Sequence, residues 1–433
     1  MTNISSDGRE SPSMRPFFII WIGQAFSLLG SQLVQFAIVW WLTRMTGSAT
    51  MLALATLAAL LPQILIGPFA GALVDRWSRR TVMIVADTAI ALATLGLAVL
   101  FWLNLAAVWS IYVLLLIRAT GAAFHWPAMQ ASTPLMVPQK HLSRVAGLNQ
   151  TLSGLAGILI PPLGALAIEV LPMQGVLAID VITAIPAIVP LLFIAIPQPA
   201  RTITPETAGR KPSLWADMRE GLRFVLNWKA LMLLAVIGVM INMLGRAAAS
   251  LTPILVMQHF KGGALQLGWW QSAVGAGTVI GGLILGVWGG FRRRVVTQML
   301  ALVLDGLVII GIGLSPKEAF GLAVVLIFFV GILEAIAMGA GGAMFQVLVP
   351  PEVQGRVFSL LISATQGLAP LGLLVAGPTA DALGVSFWYV LTGIMILVMG
   401  ASALLVPAIV HIEDHSLFPS PPLDASGEEK GRG

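Results

Sequence analysis

Cysteine is absent from the 433 residues, and charge is scarce: only 10% of the side chains are Asp, Glu, Lys or Arg. Without cysteine there are no disulfides, thiolate metal sites or cysteine nucleophiles. Soluble domains carry about 25% charged residues, so a soluble chain of this length has too few ions here to cover its surface. No Gly-rich phosphate loop ending in Lys-Ser/Thr occurs, which removes the usual direct site for ATP. There is no HExxH, and of five histidines only His125 falls within an apolar block. Metal catalysis and intramembrane proteolysis therefore lack their residues, and no cofactor is expected.

What the chain has in excess is apolar length. Hydrophobic residues make up 58% of it, in blocks that mostly exceed the roughly 18 residues of a membrane-span candidate. Spans are predicted near 16–43, 48–74, 81–103, 106–131, 144–169 and 174–197, then near 229–258, 265–290, 294–314, 319–348, 355–379 and 384–410. Gly and Pro inside them do not argue against helix, because neighbouring groups in a membrane protein satisfy the freed backbone. The first block is too long for the h-region of a signal peptide and has no small-residue cleavage site behind it. The expectation is an all-α membrane protein of twelve transmembrane helices.

Orientation follows from the cations. Of the 24 Lys and Arg, only Arg44, Lys261 and Lys317 fall in loops after odd-numbered spans, and Arg118 and Arg246 fall inside spans. All the others lie in the terminal segments or in loops after even-numbered spans. By the positive-inside rule that side is cytoplasmic, which explains the net charge of +5 without any nucleic-acid partner. The domain reading is a cytoplasmic tail at 1–15, a six-helix bundle at 16–197, a cytoplasmic loop at 198–228, a second bundle at 229–411 and a disordered cytoplasmic tail at 412–433. Within the loop, Leu214, Met218, Leu222 and Val225 recur at helical spacing among charges, which predicts an amphipathic surface helix.

The halves repeat. VPQKHLSRVAGLNQ begins at Val137 and VPPEVQGRVFSLLI at Val349, 212 residues later, with Arg144 and Arg356 in register. Parallel repeats of this kind belong to transporters that rock one bundle against the other.

The most specific local signal is GALVDRWSRR, from Gly71 to Arg80, between spans two and three. Asp75 and Arg76, with Arg79 and Arg80, sit where a span meets the cytoplasm and can ion-pair with a neighbouring helix end. Gly71 permits a close helix approach. Gly71, Asp75, Arg76, Arg79 and Arg80 resemble the loop signature of the major facilitator superfamily, with Ser78 where that family has Gly. GVWGGFRRR in the second half keeps Arg292 to Arg294 and lacks the Asp. EGLRFV, VADTAIA, AIDVITA, TPLMVPQKHLSR and PPEVQGRVFSLL resemble the macrolide-efflux branch of the drug:proton antiporters.

The resemblance implies the major facilitator fold of two six-helix bundles, an inner gate at Gly71–Arg80, and cavity walls from spans 1, 4, 7 and 10. GILIPPLGAL resembles the helix-bend motif of proton-driven exporters through Pro161 and Gly164, with Ile160 where Gly belongs. Arg118 and Arg246 become cavity charges, with Arg118 expected to face Glu334 from the opposite bundle. Glu334, the only carboxylate on a cavity helix, is the first candidate for the proton carrier, followed by Asp305 and Asp87. Gln32, Gln35, Phe36, Met240, Met243 and Met338 are candidates for the substrate walls.

The implied function is secondary export of hydrophobic or amphipathic compounds, of macrolide or multidrug type, by proton antiport and alternating access. The partners are small-molecule substrate, protons and the lipid bilayer of a bacterial inner membrane, with no ATP and a monomeric chain. The alternatives are a siderophore or metabolite exporter or uniporter of this fold, and a membrane sensor or scaffold that does not transport.

Overall fold

The computed structural model describes residues 14–74, 77–197, 222–223, 225–349 and 351–414. Twelve helices among them are long and apolar enough to cross a bilayer. The first six are α1 (Arg15–Thr46), α2 (Ala49–Val74), α3 (Arg79–Trp102), α4 (Val108–Met136), α5 (Leu142–Val170) and α6 (Met173–Phe193). The second six are α7 (Lys229–Ile254), α8 (Ala264–Trp288), α9 (Arg294–Leu314), α10 (Phe320–Leu348), α11 (Pro351–Leu383) and α12 (Val385–Leu405). A short α13 (Pro407–Val410) follows. Most of the region expected to form the amphipathic loop helix lies outside the described residues, as does 415–433.

The 212-residue offset extends well beyond its short sequence match. It carries α4 onto α10 and α6 onto α12 at both ends of each helix. The packing repeats with it. In the first bundle α2 and α3 lie on α4, and α1 and α3 lie on α6; in the second, α8 and α9 lie on α10, and α7 and α9 on α12. The bundles meet mainly through α2 with α11 and α5 with α8, two junctions that the offset exchanges. The helix ends near Arg15, Arg79 and Arg294 form one end of the molecule, termed here the basic face. The α1–α2, α7–α8 and α11–α12 connections form the far face.

Large apolar side chains such as Phe193, Leu283, Val287 and Leu405 are exposed on the outside. In water such a surface aggregates; against acyl chains it is matched. The cost of that setting is that burial no longer drives helices together, leaving close packing and hydrogen bonds to do so. The first bundle meets this with a cross-brace. Asp180 of α6 holds the Arg118 guanidinium of α4, and accepts from Ser31 Oγ of α1 at 2.6 Å and Thr94 Oγ1 of α3 at 2.9 Å. Arg118 also donates to the Ser31 carbonyl at 3.1 Å. Four helices thus share one buried ion pair. In the second bundle the offset replaces Arg118 with Val330 and Asp180 with Thr392, so the brace has no counterpart there.

Residues 412–414, at the start of the predicted disordered tail, are folded onto the second bundle. Ile412 is buried, Glu413 accepts from the Val295 N–H at the start of α9 at 3.1 Å, and Asp414 accepts from Arg293 at 3.0 Å. The basic run Arg292–Arg294 is thereby used at a helix start.

Removing one partner of a buried pair leaves the other charge uncompensated and costs about 3–5 kcal/mol. Asp180→Ala is therefore expected to lower the thermal unfolding temperature in detergent severely. Arg118→Leu combined with Asp180→Leu is expected to be milder than Asp180→Ala alone, because no lone charge remains. Equal melting of Asp180→Ala and the wild type would remove the brace from the account.

Candidate functional site

The junction between the bundles holds the features that bear on function. At the far face, Asp381 near the end of α11 reaches across to the start of α2. It accepts from Ser48 Oγ at 2.9 Å, Ala49 N at 2.7 Å, Thr50 N at 3.0 Å and Thr50 Oγ1 at 2.6 Å. The first N–H groups of a helix have no intrahelical acceptor and carry the positive end of its dipole. A carboxylate on them is an N-cap, supplied here by the other bundle. Gln258 adds a bond from its side-chain amide to the Gly47 carbonyl at 2.6 Å. The helices touch because α11 has Gly377, where a Cβ would stand 2.7 Å from Thr50 Cα.

The second junction uses a proline in the same way. Pro162 has no N–H, so the Ile158 carbonyl one turn earlier has no intrahelical donor. Ser272 Oγ of α8 donates to it at 2.6 Å. Alongside, Gly164 lets the Phe36 ring of α1 lie where a Cβ would meet it at 2.9 Å. The residues of the helix-bend motif thus lie where α5 touches α1 and α8. The Asp381, Gln258 and Ser272 bonds that join the bundles lie between the far face and the middle of the helices.

Near these contacts a cavity of about 310 Å³ opens among α1, α2, α4, α7 and α8. Its walls are largely apolar, with Gln35, Arg246 and Gln271 as its long polar side chains. The basic face is built differently. Arg79 donates to the Ala131 carbonyl of α4 at 2.8 Å, and Arg80 donates to the Leu191 and Leu192 carbonyls at the end of α6. The Arg80 contacts bind orphan carbonyls at the end of α6, and the Arg79 contact joins α3 to α4 within the first bundle. Asp75 and Arg76 lie outside the described residues, and the described part of Gly71 is only its helical backbone in α2.

The candidate carboxylates have distinct settings. Asp87 of α3 is buried, accepts from the Gln24 amide at 2.9 Å and lies 3.4 Å from His125 Nε2. Asp305 of α9 is 2% exposed, and its Oδ1 has no hydrogen-bond partner among the described residues. Its charged neighbour is Glu334 of α10. Glu334 has an exposed side chain although the surrounding helices crowd it. It shares a helix face with Met338, four residues on, which is 79% exposed.

A family model described as a transmembrane secretion effector matches residues 11–430. Macrolide efflux protein A of Streptococcus pyogenes is 33% identical over 396 residues, which is 92% of this chain and 96% of that protein. The chain belongs to the major facilitator superfamily. Multidrug efflux pump Tap of Mycobacterium tuberculosis is similar at 28% identity over 405 residues, 92% of this chain and 95% of that one. The fold matches that of a bacterial homolog of the human lysosomal transporter Spinster, with a TM-score of 0.68 at 14% identity over 94% of this chain and 98% of that one. It also matches a D-xylose–proton symporter, with a TM-score of 0.66 at 14% identity, over 89% and 96%. Family and fold are those of multi-pass membrane transporters, not enzymes.

Within this major facilitator chain the expected site residues separate. Gln35 and Arg246 line the cavity. Arg118 does not face Glu334 across it, because its guanidinium is drawn into its own bundle by Asp180. Phe36 is buried between α1 and α5 rather than lining the cavity, because the missing side chain of Gly164 makes room for its ring. Met243 packs against Gly372 of α11, while Gln32 and Met240 are half-buried. Sequence reasoning missed Asp381, Gln258 and Ser272. Asp381 had a signal: the 212-residue offset brings it to Glu169, an acid on the equivalent helix.

Losing an N-cap costs about 1 kcal/mol, and every 1.4 kcal/mol is tenfold in an equilibrium. Asp381→Ala is therefore expected to loosen the far face several-fold. With Thr56→Cys as the only cysteine, a membrane-impermeant maleimide applied to the far face should label the cavity faster when Asp381→Ala is present. Unchanged labelling would mean that the carboxylate holds nothing closed.

Proposed function

We propose that this chain is a secondary exporter of hydrophobic or amphipathic compounds, of macrolide or multidrug type. It exchanges them for protons by alternating access, as a monomer in a bacterial inner membrane. The basic face is cytoplasmic, in keeping with the positive-inside distribution. The observation that carries this reading is the tied far-face junction. Asp381, Gln258 and Ser272 join the bundles from the far face to mid-helix, and Arg80 donates to carbonyls of its own bundle. This is the arrangement of a transporter closed outward and ready to receive substrate from the cytoplasm. In the opposite state the Gly71–Arg80 loop, through Asp75, closes the basic face while Asp381 leaves the α2 N-terminus. The efflux functions in the names of the similar proteins, 33% and 28% identical over 92% of this chain, support the direction of transport.

Glu334 is the proton carrier in this scheme. It is the exposed acid of α10, a helix that lines the cavity in the fold this chain resembles, and Asp305 is its neighbouring second acid. Protonated when outward-facing, it gives up the proton to the cytoplasm when inward-facing. One charge moving through 100 mV supplies about 2.3 kcal/mol, which sustains a substrate gradient of roughly 40-fold for a neutral compound.

In a pump-deficient bacterial host, expression is expected to raise tolerance to macrolides or other amphiphiles, and an uncoupler should abolish the gain. Glu334→Gln should abolish uphill efflux in proteoliposomes while substrate exchange at equal concentrations persists. Uphill efflux at the wild-type rate by Glu334→Gln would move the carrier to Asp305 or Asp87. No efflux of any amphiphile by the wild type would end the exporter reading.

A further inference from the structure

The polar groups in the cavity are unbalanced in charge. Arg246 of α7 is half-buried, and its Nε donates to Asn242 Oδ1 one turn back at 3.2 Å. No ion pair to Arg246 is found among the described residues. Its terminal nitrogens are not sealed in protein, and no lining residue of the cavity is acidic. Asp180 of the first bundle is already paired with Arg118.

The remaining polar groups separate into committed and free. Ser250 Oγ donates to the Ala247 carbonyl at 2.7 Å, and Thr56 Oγ1 to the Leu52 carbonyl at 3.0 Å, so both hydroxyl protons are used within their own helices. Gln35 of α1 and Gln271 of α8 have no hydrogen bond among the described residues, and both line the cavity with Arg246. Donors from three helices and both bundles therefore converge on one space. The rest of that space is aliphatic, with Ile38, Leu52 and Leu115 among its walls.

An arginine at membrane depth is costly unless it faces a partner or water, and its planar fork fits a carboxylate with two parallel bonds. We propose that this cavity contains a subsite for the anionic or carbonyl oxygen end of the substrate, formed by Arg246 with Gln35 and Gln271, a carboxylate being its best ligand. The inference rests on the transport reading and narrows its substrate class to amphiphiles with an acceptor-rich end and an apolar body. The guanidinium disfavours a cationic end at this place. Because the donors come from both bundles, the bound oxygen also bridges them. Rocking the bundles apart would pull Gln35 away from Arg246 and Gln271, and so weaken the site as the far face opens.

The test uses two fluorescent amphiphiles that are identical except that one ends in a carboxylate and the other in its methyl ester. Binding to the full chain is read by fluorescence anisotropy in detergent. A charge-assisted hydrogen bond adds enough that the wild type should prefer the acid by about tenfold or more. Arg246→Gln should bring acid and ester to equal affinity, and Arg246→Lys should restore part of the preference. Gln271→Leu should weaken acid binding without changing any charge, which keeps the test valid if Arg246→Gln fails to fold. Equal affinities in the wild type, or a preference that survives both Arg246→Gln and Gln271→Leu, would overturn the subsite. Export of a neutral dye from proteoliposomes is measured in parallel. Dye export without acid preference refutes this inference alone, whereas absent dye export by the wild type refutes the transport reading.

Discussion

In a hydrocarbon solvent each backbone N–H or C=O must find its partner inside the protein, and this molecule uses its leftover backbone groups as joints. The start of α2 offers free N–H groups, and Asp381 of the other bundle takes them. Pro162 leaves the Ile158 carbonyl without a donor, and Ser272 of the other bundle supplies one. The last carbonyls of α6 are taken by Arg80, and an N–H at the start of α9 by Glu413. Each is strong because the alternative is an unsatisfied group, and each can be broken cleanly because water can replace it once the joint opens. A transporter needs contacts with both properties between its bundles, and permanent ones within them.

The two bundles are alike in path and unlike in chemistry. The first is locked by the Arg118–Asp180 pair and its Ser31 and Thr94 bonds. The second has neither partner. It instead holds Asp305, with an oxygen that has no hydrogen-bond partner among the described residues, beside the exposed Glu334. The Arg246 guanidinium, also on the second bundle, faces the cavity without an acid. A charge pair shared by four helices suits a rigid frame, and charges without such a pair suit the exchange proposed above. The asymmetry is written in the repeat itself, where Val330 and Thr392 stand in the places of Arg118 and Asp180.

Most of the architecture was legible because its causes are local. Span length follows from bilayer thickness, and the cation distribution follows from insertion, so both survive in a single sequence. The repeat was visible in one short match and proved to hold at both ends of α4 and α6. The partners of individual side chains were less legible, because they depend on packing between distant segments. Arg118 looked like a cavity charge, since nothing near it in sequence announces Asp180, 62 residues away. Phe36 looked available until Gly164 made room for its ring. Ser272 was readable in principle, because two adjacent prolines in α5 promise free carbonyls that some neighbour must satisfy.

The central claim is that far-face and basic-face contacts alternate in one rocking motion. The cysteine-free chain allows paired spin labels at chosen sites on both faces. One pair belongs at the exposed Met45 and Leu383 on the far face, the other at the exposed Trp77 and Phe291 on the basic face. Distances would be measured by pulsed electron resonance in lipid nanodiscs, across pH and with an exported amphiphile. The account predicts that as the far-face distance lengthens, the basic-face distance shortens, with the two populations inversely related under every condition. Distances that lengthen together, or that never change while transport proceeds in the same preparation, would contradict it.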